Sequence, residues 1–374
     1  MTLVALIITL LYVVLIGSFV LGFDKVEEFQ LKDIPPKTKF TVIVPFRNEA
    51  EHLPALLKSI SELNYPKNRF EFIFVNDDSS DGSVKLIEQF LAKFRNGSKI
   101  IDNNRLTNTP KKDAINTAVN IAKHDWIVTT DADCVLSKYW LDAYDCFIQG
   151  HDANCVVGPV TYIKVDSFFA RFQALDFLSL QGATIGGFGI KRPFLCNGAN
   201  LAYKLSFFNS VNGFEGNANI ASGDDVFLLE KALKQSPKQL YYLKSLHAVV
   251  HTLPEHDLKG LMSQRKRWAT KTSKYNNLFG KFTGISVLFM NALIVCLVMF
   301  TTVGIIHPKV LTYTFLIKFC IDFLLLFKTV RFFGQEQFLL SYFFASILYP
   351  FFSVFIAFSA VLKGYEWKGR TFRA

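Results

Sequence analysis

A charged middle flanked by apolar, almost charge-free segments is the feature that most restricts what this chain can become. Thr2 to Phe23 and Ile285 to Ile306 carry no charged side chain, and Val310 to Phe327 and Phe338 to Leu362 are nearly as apolar. Each approaches the ~20 residues that an α-helix needs to cross the hydrocarbon core of a bilayer. Between them, Asp24 to Lys281 mixes charges with short apolar runs and reads as a water-soluble domain. A chain of 374 residues accommodates one sizeable domain beside such a membrane part.

The first segment reads as an uncleaved anchor. Its apolar stretch is too long for a signal peptide, and it lacks both a basic start and a small-x-small cleavage site. Apolar residues surround the whole helix, so it has no polar face to turn to water. Lys25, Lys32, Lys37, Lys39 and Arg47 follow it and no basic residue precedes it. The positive-inside rule then places the middle domain in the cytoplasm. The six Cys agree with a reducing compartment, since Cys134, Cys146, Cys155 and Cys196 lack zinc-type spacing and Cys296 and Cys320 fall in membrane segments. The expected organisation is an anchor over 1–23, a linker over 24–39 containing Pro35-Pro36, a catalytic domain over 40–281 and a C-terminal membrane region over 282–374.

A full crossing by the last apolar segment would leave Lys363, Lys368, Arg370 and Arg373 outside, against the charge rule. Pro350 in mid-segment suggests a helix break, so the expectation is a re-entrant segment with a cytoplasmic tail. Lys318 and Asp322, four apart on one face of a membrane helix, read as an ion pair.

In the middle domain "FTVIVP" (Phe40–Pro45), "FEFIFVND" (Phe70–Asp77), "SKIID" (Ser98–Asp102) and "WIVTTD" (Trp126–Asp131) are strand-like. Helix-like stretches alternate with them near Glu49–Leu63, Ser83–Arg95 and Lys111–Lys123. This alternation predicts an α/β fold with a mostly parallel sheet and flanking helices. Ligands gather at the carboxyl ends of such strands, where "PFRNEAE", "VNDDSSDGS" and "TTDADC" place three charged clusters. No glycine-rich phosphate loop occurs there, so phosphates would need a metal or basic side chains. Asp131 and Asp133 could supply oxygen ligands to Mg2+ or Mn2+, with a diphosphate completing the shell. A lone Asp-x-Asp equally suits a solvated turn.

Taken in order, "IVPFRNEAEHL", "VNDDSSDGS", "PKKDAIN", "TTDADC", "SGDDVFLL" and "QRKRW" resemble the family 2 glycosyltransferases of the GT-A fold. The likeness is to the membrane-embedded branch that makes cellulose, hyaluronan and poly-N-acetylglucosamine or glycosylates lipids. It covers roughly Phe40 to Trp268. It implies a GT-A nucleotide-sugar-binding domain with transmembrane and interfacial helices. Donor binding falls by resemblance on Pro45, Glu49, Asp77, Lys111, Asp131, Gln264 and Arg267, with Asp77 on the base and ribose. Pro110 replaces the family's glycine before Lys111, which puts the loop geometry there in question. Asp133 is implied as the more direct metal ligand and Asp131 as its neighbour nearer the donor ribose. Asp224 and Asp225 match the family's Glu-Asp pair, and Asp225 would deprotonate the acceptor hydroxyl; the same pair also suits a helix N-terminus. Trp268 offers an apolar face to an acceptor sugar. Arg265 and Lys266 are expected to face lipid headgroups, "DSFFARFQALDFLSLQG" (Asp166–Gly182) to lie on the membrane as an amphipathic helix, and Cys196–Phe208 to belong to the acceptor side.

The expected function is inverting, Mg2+- or Mn2+-dependent sugar transfer from a nucleotide-sugar, a UDP-sugar by preference. The acceptor would be a lipid, a lipid-linked glycan or a growing polysaccharide at the cytoplasmic membrane face. Membrane lipids are expected partners and nucleic acid is not. A processive polysaccharide synthase, a metal-dependent nucleotidyl or phosphoryl transferase and a transporter are the competing readings.

Overall fold

The structure, a computed structural model, describes residues 2–216, 223–274, 276–362, 365–367 and 370–372. From the N-terminus the chain forms α1 (Thr2–Lys25), β1 (Phe40–Phe46), α2 (Leu53–Ser61), β2 (Phe70–Asn76), α3 (Ser83–Lys93), β3 (Lys99–Asp102), α4 (Pro110–Val119) and β4 (Trp126–Thr129). Then come β5 (Val135–Leu136), α5 (Trp140–Gly150), β6 (Cys155–Val157), β7 (Val160–Tyr162), α6 (Phe168–Gly189), β8 (Leu201–Lys204) and α7 (Leu205–Ser210). Finally α8 (Asp224–Gln235), β9 (Leu240–Tyr242), β10 (Val250–Thr252), α9 (Leu258–Lys274), α10 (Leu278–Thr302), α11 (Pro308–Phe333) and α12 (Tyr342–Leu362) lead to a hairpin of β11 (Tyr365–Trp367) and β12 (Arg370–Phe372).

Two units divide these elements. The sheet unit comprises Glu27–Ile163 and Cys196–Leu253. Its seven strands run in the order β3-β2-β1-β4-β8-β6-β9. β3, β2, β1 and β4 are mutually parallel, and β8 is antiparallel to both β4 and β6. β1 and β2 are apolar along almost their whole length and buried on both faces, as parallel strands covered by helices must be. The chain starts at β1 and proceeds outward to β2 and β3, then returns to β4 on the other side, so the β1/β4 boundary is a topological switch point. A second sheet, β5-β10-β7, lies in the same unit. Cys155 is buried and its thiol pKa is pushed up to about 12, in keeping with a structural role.

The helical unit comprises Met1–Val26, Lys164–Leu195 and Pro254–Ala374. Helices at Thr2–Lys25, Leu278–Thr302, Pro308–Phe333 and Glu336–Ala360 are long and apolar enough to cross a membrane. The last of these begins as a short 3-10 turn and continues as α12 straight through Pro350. The break expected at that proline is therefore absent. Lys363, Lys368 and Arg373 of the tail lie outside the described residues.

Within this unit α1 and α6 meet backbone to backbone. A β-carbon on Gly189 would overlap the Gly22 carbonyl oxygen, and one on Gly186 would strike the Phe19 backbone. Glycine is what permits the crossing, a device frequent where helices meet in lipid. Around it Phe19 stacks on Phe194 at 5.5 Å, and Met290, Ile294 and Leu325 complete an apolar core. α6 is buried continuously from Phe172 to Leu178, so the expected amphipathic helix with one free polar face is not what forms. Lys318 and Asp322 do pair, Nζ to Oδ2 at 2.6 Å, and the Tyr12 hydroxyl donates to the other carboxylate oxygen. α11 ends at Gly334, left-handed at φ 65°, whose N–H returns to Arg331.

Candidate active site

At the carboxyl end of β2 the carboxylate of Asp77 is buried and already engaged. Asn103 Nδ2 donates to its Oδ1 at 2.8 Å and Arg105 Nε at 2.6 Å. The Asp77 carbonyl accepts from Arg47 and Arg105. Asp78, left-handed at φ 62°, leaves its side chain exposed beside the same two arginines. Two guanidiniums thus frame the residue that sequence likeness assigns to the nucleotide base. Arg47 sits in the "PFRNEAE" cluster, but Arg105 follows β3 with no motif to mark it. Pro45 lies in β1 opposite Val75. Glu49 is buried, with its carboxylate 2.8 Å from His52 Nδ1 and its N–H donating to Ser83 Oγ.

An acidic cluster is held by Lys111. Pro110 is the first residue of α4, where a missing N–H costs nothing and φ is already set for a helix. The proline that replaces the family's glycine is therefore compatible with a lysine in the first helical turn. Asp113, one turn on, accepts from the N–H groups of Leu106 and Thr107 and pins the loop before the helix. Lys111 Nζ reaches Asp131 Oδ1 at 2.6 Å and Asp224 Oδ2 at 3.5 Å. Burial alone would push this ammonium's pKa down; Asp131, Asp224 and Asp225 outweigh it and hold it well above the usual lysine value.

Asp224 and Asp225 open α8 after Gly223, left-handed at φ 90°. Asp224 is buried against the lysine, whereas Asp225 is half-buried and fixed by two backbone donors. The Val226 N–H reaches its Oδ1 at 2.8 Å and the Gly198 N–H its Oδ2 at 3.1 Å. Gly198 comes from the "CNGAN" stretch. A β-carbon there would stand 2.9 Å from Asp224 Oδ2 and 3.4 Å from Lys111 Nζ, so only glycine leaves the cluster room. Thr129, the last residue of β4, holds the Gly198 carbonyl at 2.7 Å. The structure therefore brings Asp131, Asp224 and Asp225 together around Lys111, with Asp225 also held by the Gly198 amide.

Asp133 lies two residues beyond Asp131 in the turn after β4, half-buried, and the Cys134 thiol donates to its Oδ1 at 3.6 Å. Among the described residues no group of three or more His, Cys, Asp or Glu converges as a ready-made metal cage. Two carboxylates on one turn, one of them paired with an ammonium, suit a hard divalent cation whose remaining ligands arrive with a diphosphate. The residues present fit such a cation.

Gln264, Arg267 and Trp268 lie on α9 in the helical unit. Gln264 Nε2 donates to Glu255 Oε1 at 2.8 Å, and the ring of Trp268 lies 6.0 Å from that of Phe177. Arg265 does not face headgroups: it is buried, and its Nε donates to Asp176 Oδ2 at 2.6 Å. Its guanidinium carbon stands 4.2 Å from the Trp268 ring centre. A buried carboxylate on α6 draws it inward.

Comparison with known proteins places the chain among glycosyltransferases. The model of glycosyl transferase family 2 matches residues 41–204, and that of glycosyl transferase family group 2 matches residues 126–361. Glycosyltransferase AglE of Haloferax volcanii is 23% identical over 227 residues, spanning 61% of this chain and 70% of the relative. Poly-beta-1,6-N-acetyl-D-glucosamine synthase of Staphylococcus epidermidis is 25% identical over 307 residues, spanning 76% and 70%. Mannosyltransferase PcManGT of Pyrobaculum calidifontis, solved in complex with GDP-Man and Mn2+, shares the fold at a TM-score of 0.50 and 16% identity, over 92% of this chain and 96% of its own.

Proposed function

This chain belongs to glycosyl transferase family 2, and from that premise we propose that it is an inverting, metal-dependent enzyme that transfers a sugar from a UDP-sugar to a lipid, lipid-linked or polysaccharide acceptor at the cytoplasmic face of a membrane. The observation that carries the reading is Asp225, a half-buried carboxylate held by two backbone N–H groups beside the Lys111–Asp131 pair. A base in inverting transfer must be aimed at the acceptor hydroxyl, and two amide donors hold this carboxylate in place.

The acceptor hydroxyl gives its proton to Asp225 as its oxygen bonds to the anomeric carbon. The bond from that carbon to the diphosphate oxygen breaks on the opposite face, and its electron pair leaves with the nucleoside diphosphate. Asp133 and Asp131 would hold the divalent cation, which when bound neutralises charge on the departing diphosphate. Lys111, bridging Asp131 and Asp224, fixes the donor-side and base-side acids in one register. Asp77, with Arg105 and Arg47 around it, would meet the base and ribose, and Pro45 and Glu49 would line the same end. Gln264 and Arg267 would contact the pyrophosphate and Trp268 the acceptor sugar.

The similarity to polysaccharide synthases favours a second acceptor, a growing glycan extended repeatedly. Purified protein in detergent, offered a panel of labelled UDP- and GDP-sugars with lipid extract and Mn2+, tests both. Release of nucleoside diphosphate with label in a single-sugar lipid supports one-step transfer, and label in long polymer supports extension. Release of nucleoside monophosphate or pyrophosphate would reject sugar transfer of this kind.

A further inference from the structure

Among the described residues, Asp176 and Arg265 form the ion pair most deeply buried on both sides, each side chain 6% exposed. Desolvating two charges is expensive, and such a pair endures where it fixes a geometry. What it fixes can be followed atom by atom. The Arg265 guanidinium donates to Asp176 through Nε and to the Gln264 side-chain oxygen through Nη1, while its central carbon stands over the Trp268 ring, 4.2 Å from the ring centre. Gln264 in turn donates to the Glu255 carboxylate at 2.8 Å. The Glu255 backbone is clamped from α6: Gln173 Nε2 donates to its carbonyl at 3.0 Å, and its N–H donates to Gln173 Oε1 at 2.9 Å. Gln173, Asp176 and Phe177 are spaced as one face of a helix, and each meets α9 or the segment leading into it.

We infer that Asp176 and Gln173 on α6 are positioning residues for the Gln-Arg-Lys-Arg-Trp segment, setting the plane of Trp268 through Arg265 so that the ring can receive the acceptor. The inference rests on the proposed acceptor role of Trp268 and adds the device that aims it. A guanidinium can bond a carboxylate edge-on and stack on a ring face-on at once, which an ammonium cannot. Charge alone is therefore not enough at position 265.

The test uses the full-length protein in detergent. Arg265→Lys keeps the charge and Asp176→Asn keeps the shape; if Asp176→Asn is not recovered monodisperse, Arg265→Lys alone decides. Trp268 emission is isolated as the difference between each protein and its Trp268→Phe counterpart. Transfer is followed at saturating labelled UDP-sugar in the same samples. The expected result is a shifted Trp268 emission with transfer down about tenfold or more and the donor KM within about threefold, the pattern of a misaimed group rather than lost binding. An unmoved emission, transfer within about twofold of the parent, or a lower rate and thermal midpoint with a raised donor KM would overturn it. Trp268→Ala separates the two levels. Intact transfer there rejects the acceptor role, whereas lost transfer there beside normal transfer in Arg265→Lys rejects the positioning role.

Discussion

The ammonium of Lys111 lies 2.6 Å from Asp131 and 3.5 Å from Asp224, joining an acid at the end of β4 to one at the start of α8. Without it two carboxylates would face each other in a partly buried site. Lys111→Met should lower stability by about 1–3 kcal/mol, the usual cost of leaving buried polar partners unmatched. Mg2+ should restore part of that loss, because a divalent cation can take over the neutralising role. Thermal midpoints with and without Mg2+ check this: equal gains in parent and variant would contradict it.

Asp225→Asn keeps the shape of the side chain and removes its basicity. Transfer should fall about 100-fold or more, the scale of a missing general base, while UDP affinity stays near the parent's. Turnover close to normal would move the base elsewhere.

Asp133→Ala should abolish the Mn2+-dependent part of UDP binding, and EDTA should do the same to the parent. No glycine-rich phosphate loop is present to compensate. Titration calorimetry giving one affinity with metal, with chelator and in the variant would show that the turn holds no cation.

Arg105→Ala frees the Asp77 carboxylate from its 2.6 Å partner and strips one side of the region assigned to the base. UDP should bind about tenfold more weakly, the scale of one charge-assisted contact, with the rate at saturating donor nearly intact. Unchanged donor KM would place the base elsewhere.

Gly189→Leu should prevent α1 and α6 from closing, since even a β-carbon overlaps the Gly22 carbonyl. The variant should elute from size-exclusion in detergent as aggregate, and a sharp monomeric peak would show that the crossing can open cheaply.

The parallel half of the sheet was legible because β1 and β2 are buried on both faces and stay apolar for seven residues each. β6, β8 and β9 were not, being three or four residues long; tertiary pairing makes them strands, as the antiparallel contacts of β8 show. Acidic positions 131, 224 and 225 could be named from motifs. That the Gly198 amide holds Asp225 could not, because a backbone donor leaves no trace in residue type. α6 misled for a different reason. Arg171, Gln173 and Asp176 look like a wet face, but their partners are Ser341, Glu255 and Arg265, far along the chain. A polar side chain in a sequence does not say whether water or another helix will satisfy it.

The place of α6 in the chain has a consequence for synthesis. β4 emerges from the ribosome before α6, yet its neighbour β8 emerges only after it. Until then β4 presents an open edge, the kind of surface that invites pairing with another chain. Meanwhile α6 finds its glycine-lined seat on α1, a helix made before it. A helix already made is thus ready to receive the one whose passage delivers the strand that closes the edge, and a delay in translation between Thr129 and Leu201 would keep that edge open longer.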